Sequence, residues 1–226
     1  MRLEATVQAL QLTNLKKAIQ EQMKKRLKPP PKLTISEWAD EYRKLSPESS
    51  AEPGSWNTSR AEYQRGIMDA LSDPYIETVV VMSSAQVGKT EILNNAVGYF
   101  ISQDPSPMLV VQPTLDMAQT WSKDRLAPML RDTPILSGLV KDPRSRDSGN
   151  TTLHKVFPGG HVTACGANSP SSLASRPVRN VFCDEVDRYP VSAGTEGDPV
   201  SLAKKRSATF WNRKIDRKST RLNSSH

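Results

Sequence analysis

The chain has 226 residues, 36% of them hydrophobic, with a mean hydropathy of −0.55 and a formal net charge of +7. That length supports one sizeable core with appendages, and no apolar run approaches the roughly 20 residues a membrane-spanning helix needs, nor does the N-terminus hold the apolar core of a signal peptide. Two cysteines, Cys165 and Cys183, and three scattered histidines match no zinc-ligand spacing, so a structural metal is not expected and a reducing, cytosolic setting fits.

Charge is unevenly spread. Residues 1–32 carry eight basic and two acidic side chains, residues 204–226 carry eight and one, and the body between them is acidic. Basic ends of this kind either contact nucleic acid through counterion release or are simply solvated. Residues 4–27 are predicted to form one amphipathic helix, because Val7, Leu10, Leu15, Ile19 and Met23 recur at roughly helical spacing with lysines between them. Pro29, Pro30 and Pro31 end it in a stiff spacer. The segment 1–32 reads either as a helix packed on its own domain or as a docking helix for another chain. Residues 34–45 are predicted as a second helix, with Thr34 as N-cap, Glu37 completing a capping box, and Trp38, Tyr42 and Leu45 on one face. Residues 51–60 read as loop. Helical periodicity returns over 61–73 and stops at Pro74, so 33–74 form a helical lead-in.

From Tyr75 strands and helices alternate. The β-branched run at 77–84 suits a buried parallel strand. A helix over 89–102, a strand over 107–114 and a helix over 115–133 with an internal proline follow. After a polar loop at 141–151 come a hairpin over 153–167, turning at Gly159 and Gly160, and a further buried strand over 178–185. The alternation predicts an α/β domain over 75–215 with a mostly parallel central sheet.

Two segments carry chemistry. Ser83–Thr90 reads SSAQVGKT between a strand and a helix, close to the phosphate-loop pattern G-x-x-x-x-G-K-[ST] with Ser83 in place of the first glycine. In such a loop the amides of Ser84, Ala85, Gln86 and Val87, and those of the residues after them, face phosphate oxygens, and the helix N-terminus adds its dipole. Gly88 permits close backbone approach, Lys89 neutralises the β- and γ-phosphates, and Thr90 offers its hydroxyl to Mg²⁺. The alternative is an ordinary strand–turn–helix with an exposed lysine. About 95 residues beyond Lys89, the apolar strand VFC ends in Asp184 and Glu185. Asp184 is suited to hold Mg²⁺ through its water shell and Glu185 to polarise an attacking water. ATP and Mg²⁺ are therefore the expected cofactors. Asp187 and Arg188 are expected to pair with each other. Arg176, in the small-residue loop at 168–180 that also holds Arg179, is either a charge-stabilising arginine acting across a subunit interface or a surface salt-bridge partner. Trp56, Arg60, Tyr63 and Gln64 are candidates for an adenine contact or for packing.

Through these residues the chain, from about Leu33 to Ile215, resembles the large terminase subunit of tailed bacteriophages, in its lambda-like GpA family. The resemblance is carried by ISEWADEYRKLSP, GSW…EYQRGIMDALSDP, VVVMSSAQVGKTE, PMLVVQPTLDMAQ, GANSPSSLASRPVR, VFCDEVDRYP and EGDPVSLAKKR…TFWNRKI, in that order. It implies a P-loop NTPase of the additional-strand catalytic-glutamate type, preceded by an α-helical N-terminal segment. It also implies an ATP-driven motor that threads double-stranded DNA into an empty procapsid in the host cytoplasm. The implied partners are the small terminase subunit, docked on the N-terminal helix, the procapsid portal, and further copies in a homo-oligomeric ring; no membrane is implied. The resemblance assigns Lys89 and Thr90 to the phosphate loop, Asp184 to magnesium, Glu185 to catalysis, Tyr63 and Gln64 to adenine sensing, and Arg176 to trans action. A Ser/Thr-rich coupling turn is expected closely after Ile215, and a metal-dependent nuclease domain beyond it; neither is recognised in this chain, so 75–215 reads as a truncated ATPase domain. The closing DRKSTRLNSSH (216–226) resembles translated adapter read-through and is expected to be non-native, with neither strand nor helix logic. The competing readings are a helicase-like nucleic-acid-dependent ATPase, with PTLDMAQ against the DNA backbone, and an inert nucleotide-binding or docking module.

Overall fold

The computed structural model describes residues 32–140, 149–174 and 176–220, together with Lys16, Lys17 and Gln20, which are helical and exposed. The rest of the helix expected at 4–27, and the proline spacer, lie outside the described residues. The chain divides into two compact units at Lys32, and all further described elements belong to the second.

Thr34 opens helix α1 (Ile35–Tyr42) through the expected capping box: its hydroxyl accepts from the Glu37 N–H at 3.3 Å, and the Glu37 carboxylate accepts from the Thr34 N–H at 2.8 Å. The helix stops short of Leu45 because Arg43 turns extended and Lys44–Leu45 (β1) pairs with Gly54–Ser55 (β2). A 3₁₀ stretch at Thr58–Gln64, broken at Ala61, leads into α2 (Arg65–Ser72), so the helix expected from residue 61 begins later and tighter. Strand β3 (Thr78–Ser83) feeds α3 (Lys89–Ser102). Trp38 of α1 is fully buried against α3 at Gly98, where a Cβ would stand 2.3 Å from the indole. That missing side chain lets the two helices approach.

Beyond α3 come β4 (Met108–Gln112), α4 (Leu115–Trp121) and α5 (Ala127–Asp132). A π-turn at Ser122–Leu126 joins the two helices just ahead of Pro128, which has no N–H to give the ladder. The expected hairpin is β5 (His154–Phe157) and β6 (Gly160–Gly166), with Gly159 in the left-handed region at φ 86°. Helix α6 (Pro170–Ala174), β7 (Asn180–Cys183), α7 (Pro199–Lys205) and β8 (Lys214–Thr220) complete the unit.

Six strands form one sheet in the order β3-β8-β7-β4-β6-β5, parallel throughout except at the β5–β6 hairpin. One strand separates β3, which carries the loop, from β7, which carries the carboxylates; that insertion is the mark of the additional-strand class. Strands β4 and β7 are buried at every position, as their unbroken apolar runs suggest. One face packs on α1 through α5 around Trp38, Phe100 and Phe182, and the other on α6 and α7 around Leu173, Val181 and Ala203. Both cysteines are free and buried, each in register with Val111 of β4 from opposite sides. Two strand spacings, about 9.6 Å, keep them from bridging.

Two expectations are corrected. Strand β3 is parallel as expected but largely unburied. It pairs only with β8 among the described residues, and Val80 and Met82 are 59% and 67% exposed. Residues 216–220 are not structureless: they complete β8, inside the sheet. The gap between β3 and β7 presents unpaired N–H and C=O groups on both sides, and backbone pairing is indifferent to side-chain type. The side chains suit the position poorly. Asp216 and Lys218 are buried as an ion pair, and neither carboxylate oxygen nor the ammonium has a hydrogen-bond partner.

Candidate nucleotide-binding site

The loop from Ser84 to Gly88 leaves the C-terminal end of β3 and turns directly into α3. Gln86 (φ 63°) and Gly88 (φ 74°) adopt left-handed backbone, the conformation that curls successive amides around a concave anion site. Gly88 is required twice over, because a Cβ there would also meet the Gln64 amide at 2.6 Å. The loop is gripped from outside: the Tyr63 hydroxyl and the Gln64 amide each donate to the Val87 carbonyl at 3.0 Å. The structure thus sets Tyr63 and Gln64 behind the loop. Trp56, its indole N–H bonded to Thr58 at 2.9 Å, lines the cavity in front, and Arg60 pairs with Glu52 at the surface.

Lys89 is buried, and its ammonium donates to the Ser84 carbonyl at 2.9 Å, the Ser83 carbonyl at 3.4 Å and the Thr220 hydroxyl at 2.8 Å. No acid among the described residues neutralises it. The Ser83 hydroxyl is buried without a partner. A cavity of about 740 Å³ opens in front of these groups, lined by loop residues 85–88, Lys89, Thr90, Glu91, Arg125, Glu185, Arg188 and Thr220. The adjacent Lys89 and Thr90 therefore share one chamber with Glu185, which is distant from them in sequence.

Asp184 stands at the end of β7, buried, with Oδ2 accepting from Gln112 Nε2 at 3.3 Å and Oδ1 unpartnered. Register places it beside Lys218, since Cys183 pairs with Arg217 one step earlier. Burial pushes the Lys218 ammonium down to about 8, against the pull of Asp184. Glu185 is one of two described non-glycine residues with positive φ (50°); the other is Gln86, and both face the cavity. The expected Asp187–Arg188 pair does not form. Arg188 Nη1 lies 3.0 Å from Glu185 Oε2, as an ion pair angled too poorly to be a hydrogen bond. Asp187 instead accepts from the Thr220 N–H at 3.0 Å and the Ser219 hydroxyl at 3.1 Å. Burial opposes its ionisation, yet these bonds hold its carboxyl below the usual range. Ser219 and Thr220 thus put hydroxyl side chains four and five residues past Ile215, between Lys89 and Asp187, where a Ser/Thr-rich turn was expected.

Arg176 is exposed and outside this cavity, with Nη1 3.5 Å from His154 Nε2. Arg179 is committed to structure, donating to Asp104 at 3.1 Å and lying over the Phe100 ring at 5.5 Å. Sequence reasoning missed Gln112 and Arg125, and named Arg188 only as a partner for Asp187. Gln112 carried a signal, a polar residue ending a fully apolar strand. Arg125 sits in a helical stretch like any solvated arginine.

Residues 50–224 match the family described as phage terminase large subunit gpA, ATPase domain. The chain belongs to that family. Over 188 residues it is 31% identical to the large terminase subunit of Enterobacteria phage P21, covering 82% of this chain and 29% of that one. Over 207 residues it is 29% identical to the large terminase subunit of Escherichia phage lambda, covering 91% and 32%. It therefore spans about a third of the length of these relatives. Among solved structures it is similar to the large terminase of a thermophilic bacteriophage, with a TM-score of 0.48 and 17% identity over 77% of this chain and 39% of that one. It is similar to the Thermus phage P74-26 large terminase ATPase domain at 0.48 and 14%, over 71% and 65%. The family match takes in β8 along with the phosphate loop. A terminase ATPase domain is a nucleotide-binding unit, and the donor set suits one: an unneutralised buried ammonium, an unpaired Ser83 hydroxyl and an unpaired Asp184 oxygen at one sheet edge.

Proposed function

We propose that this chain is the ATP-hydrolysing motor part of a DNA-packaging terminase. The observation that carries the reading is the convergence of the amide-rich loop, Lys89, Thr90 and Glu185 on one cavity, with the free oxygen of Asp184 at the adjacent strand end. Bound ATP and Mg²⁺ supply the transferable phosphoryl group and its charge neutralisation. Ser83, the loop amides from Ser84 to Gly88, and Lys89 bind and orient the phosphates, Lys89 exchanging carbonyl partners for phosphate oxygens. Thr90 and Asp184 hold the metal. Glu185 accepts the proton of the attacking water once Arg188 releases it. Tyr63 and Gln64 report base occupancy by tightening or loosening their hold on the Val87 carbonyl. Arg176 serves a neighbouring copy in a ring, a reading its exposure supports. The parent protein acts on double-stranded DNA with the small terminase subunit and a procapsid portal, in the host cytoplasm. No described helix is long and apolar enough to cross a membrane.

One observation favours the inert-module reading: an ammonium beside Asp184 competes with Mg²⁺ for that carboxylate. The test is ATP binding and turnover by the chain and by Glu185→Gln. Retained binding with turnover lost is expected; equal background rates in both would refute the catalytic assignment.

A further inference from the structure

A second cavity, about 230 Å³, opens across the sheet at the β5–β6 end and shares no lining residue with the nucleotide cavity. Its polar wall is His154, His161, Thr163, Ser172 and Arg176; among the described residues Cys165 is the other titratable group that lines it, and no carboxylate does. The two imidazoles lie 5.2 Å apart, centroid to centroid. His154 Nδ1 is 2.8 Å from the Thr163 hydroxyl, and its Nε2 faces the Arg176 guanidinium at 3.5 Å. A guanidinium only donates, so Nε2 is the lone-pair nitrogen and Nδ1 carries the hydrogen. His161 Nε2 is buried with no hydrogen-bond partner. The pocket thus combines a fixed cation, two imidazoles that can each become one, and two hydroxyls, with no acid among the described residues that line it.

We propose that this pocket is a phosphate-binding site, in which Arg176, His154 and His161 donate to the oxygens of one phosphate group. Arginine supplies the fixed charge and planar donor geometry that phosphate favours. In the free protein, burial and Arg176 hold both imidazoles below their ordinary value. An anionic phosphate between them opposes the Arg176 effect, so the imidazoles take up protons on binding. Affinity then rises as pH falls, by up to about tenfold per pH unit for each proton taken up. A DNA phosphodiester and the phosphate of a nucleotide on another copy share this chemistry, and the assay separates them.

The chain holds three histidines, His154, His161 and His226, so their ring Cε1–H resonances form a small, assignable set. Inorganic phosphate is titrated into the whole chain carrying Lys89→Ala, which weakens phosphate binding at the loop, and the readout is confined to the histidine resonances of the second cavity. Saturable shifts of the His154 and His161 resonances are expected, tighter at pH 6 than at pH 8, and abolished by Arg176→Gln at an exposed position where folding is not at stake. Competition by a short DNA duplex assigns the site to nucleic-acid backbone; competition by Mg-ATP alone assigns it to nucleotide. Unmoved resonances at pH 6, or shifts of unchanged affinity in Arg176→Gln, overturn the proposal. Loss of phosphate-loop function leaves it standing, since Lys89→Ala is already in place.

Discussion

Replacing Asp216 and Lys218 together by valine tests the energetics of β8. Both side chains are buried on the sheet face that also carries Val79, Phe182 and, one step on, Asp184. Exchanging a buried ion pair for well-packed apolar groups stabilises by about 1–4 kcal/mol, and β-branched residues suit the position. The double variant is therefore expected to melt higher by about 2–4 °C per kcal/mol gained. The single variants should differ. Lys218→Val strands two carboxylates, Asp216 and Asp184, and is expected to cost about 3–5 kcal/mol. Asp216→Val leaves Lys218 with Asp184 as counter-charge and should cost less.

The same pair predicts a pH signature. The folded-state value of Lys218, about 8, lies below its ordinary 10.5. Between those values the unfolded chain holds a proton that the folded chain does not, so stability rises with pH. The advantage of the double variant over the parent should shrink across this window by about 3 kcal/mol in all. Taking the difference is necessary because burial raises Cys165 and Cys183 to about 12, and these two lower stability above their ordinary 9 in both proteins. Urea unfolding at pH 7 and at pH 9.5 gives the comparison. A double variant less stable than the parent, or a difference independent of pH, would refute the placement of these charges inside the sheet.

Gly98→Ala is expected to destabilise, since the new methyl must displace a fully buried Trp38. Overpacking costs about 1–3 kcal/mol, partly offset by about 1 kcal/mol of helix propensity, and the urea midpoint reads the balance. Val80→Lys with Met82→Lys should suppress self-association in light scattering while leaving stability within about 0.5 kcal/mol, because both side chains are already exposed on an edge strand.

How much of this was legible in the sequence depended on where each element's specificity resides. Helix α3 and its loop were readable because local rules agree there: a β-branched run, a glycine that adopts left-handed backbone, and a largely apolar helical stretch beginning at Lys89. The capping box of α1 was readable because both partners lie within four residues. Asp184 and Glu185 were found through their neighbours, an apolar strand ending in two carboxylates. Arg188 was misassigned because i,i+1 charges in a tight 3₁₀ turn point apart, while Glu185 at i−3 comes within reach.

Strand β8 was the hardest case, and for a general reason. A central parallel strand is ordinarily announced by its own apolar side chains, yet its position is selected by two open ladders, one on each side. In DRKST the backbone satisfies both ladders while Asp216 and Lys218 bear the desolvation penalty. The gap was itself predictable in kind, since the additional-strand class requires one strand between β3 and β7. Fold-level knowledge names the vacancy, and residue-level propensity rejects the segment that fills it. Where the two disagree, a buried charge pair is left in the core, and its removal is the measurement that decides between them.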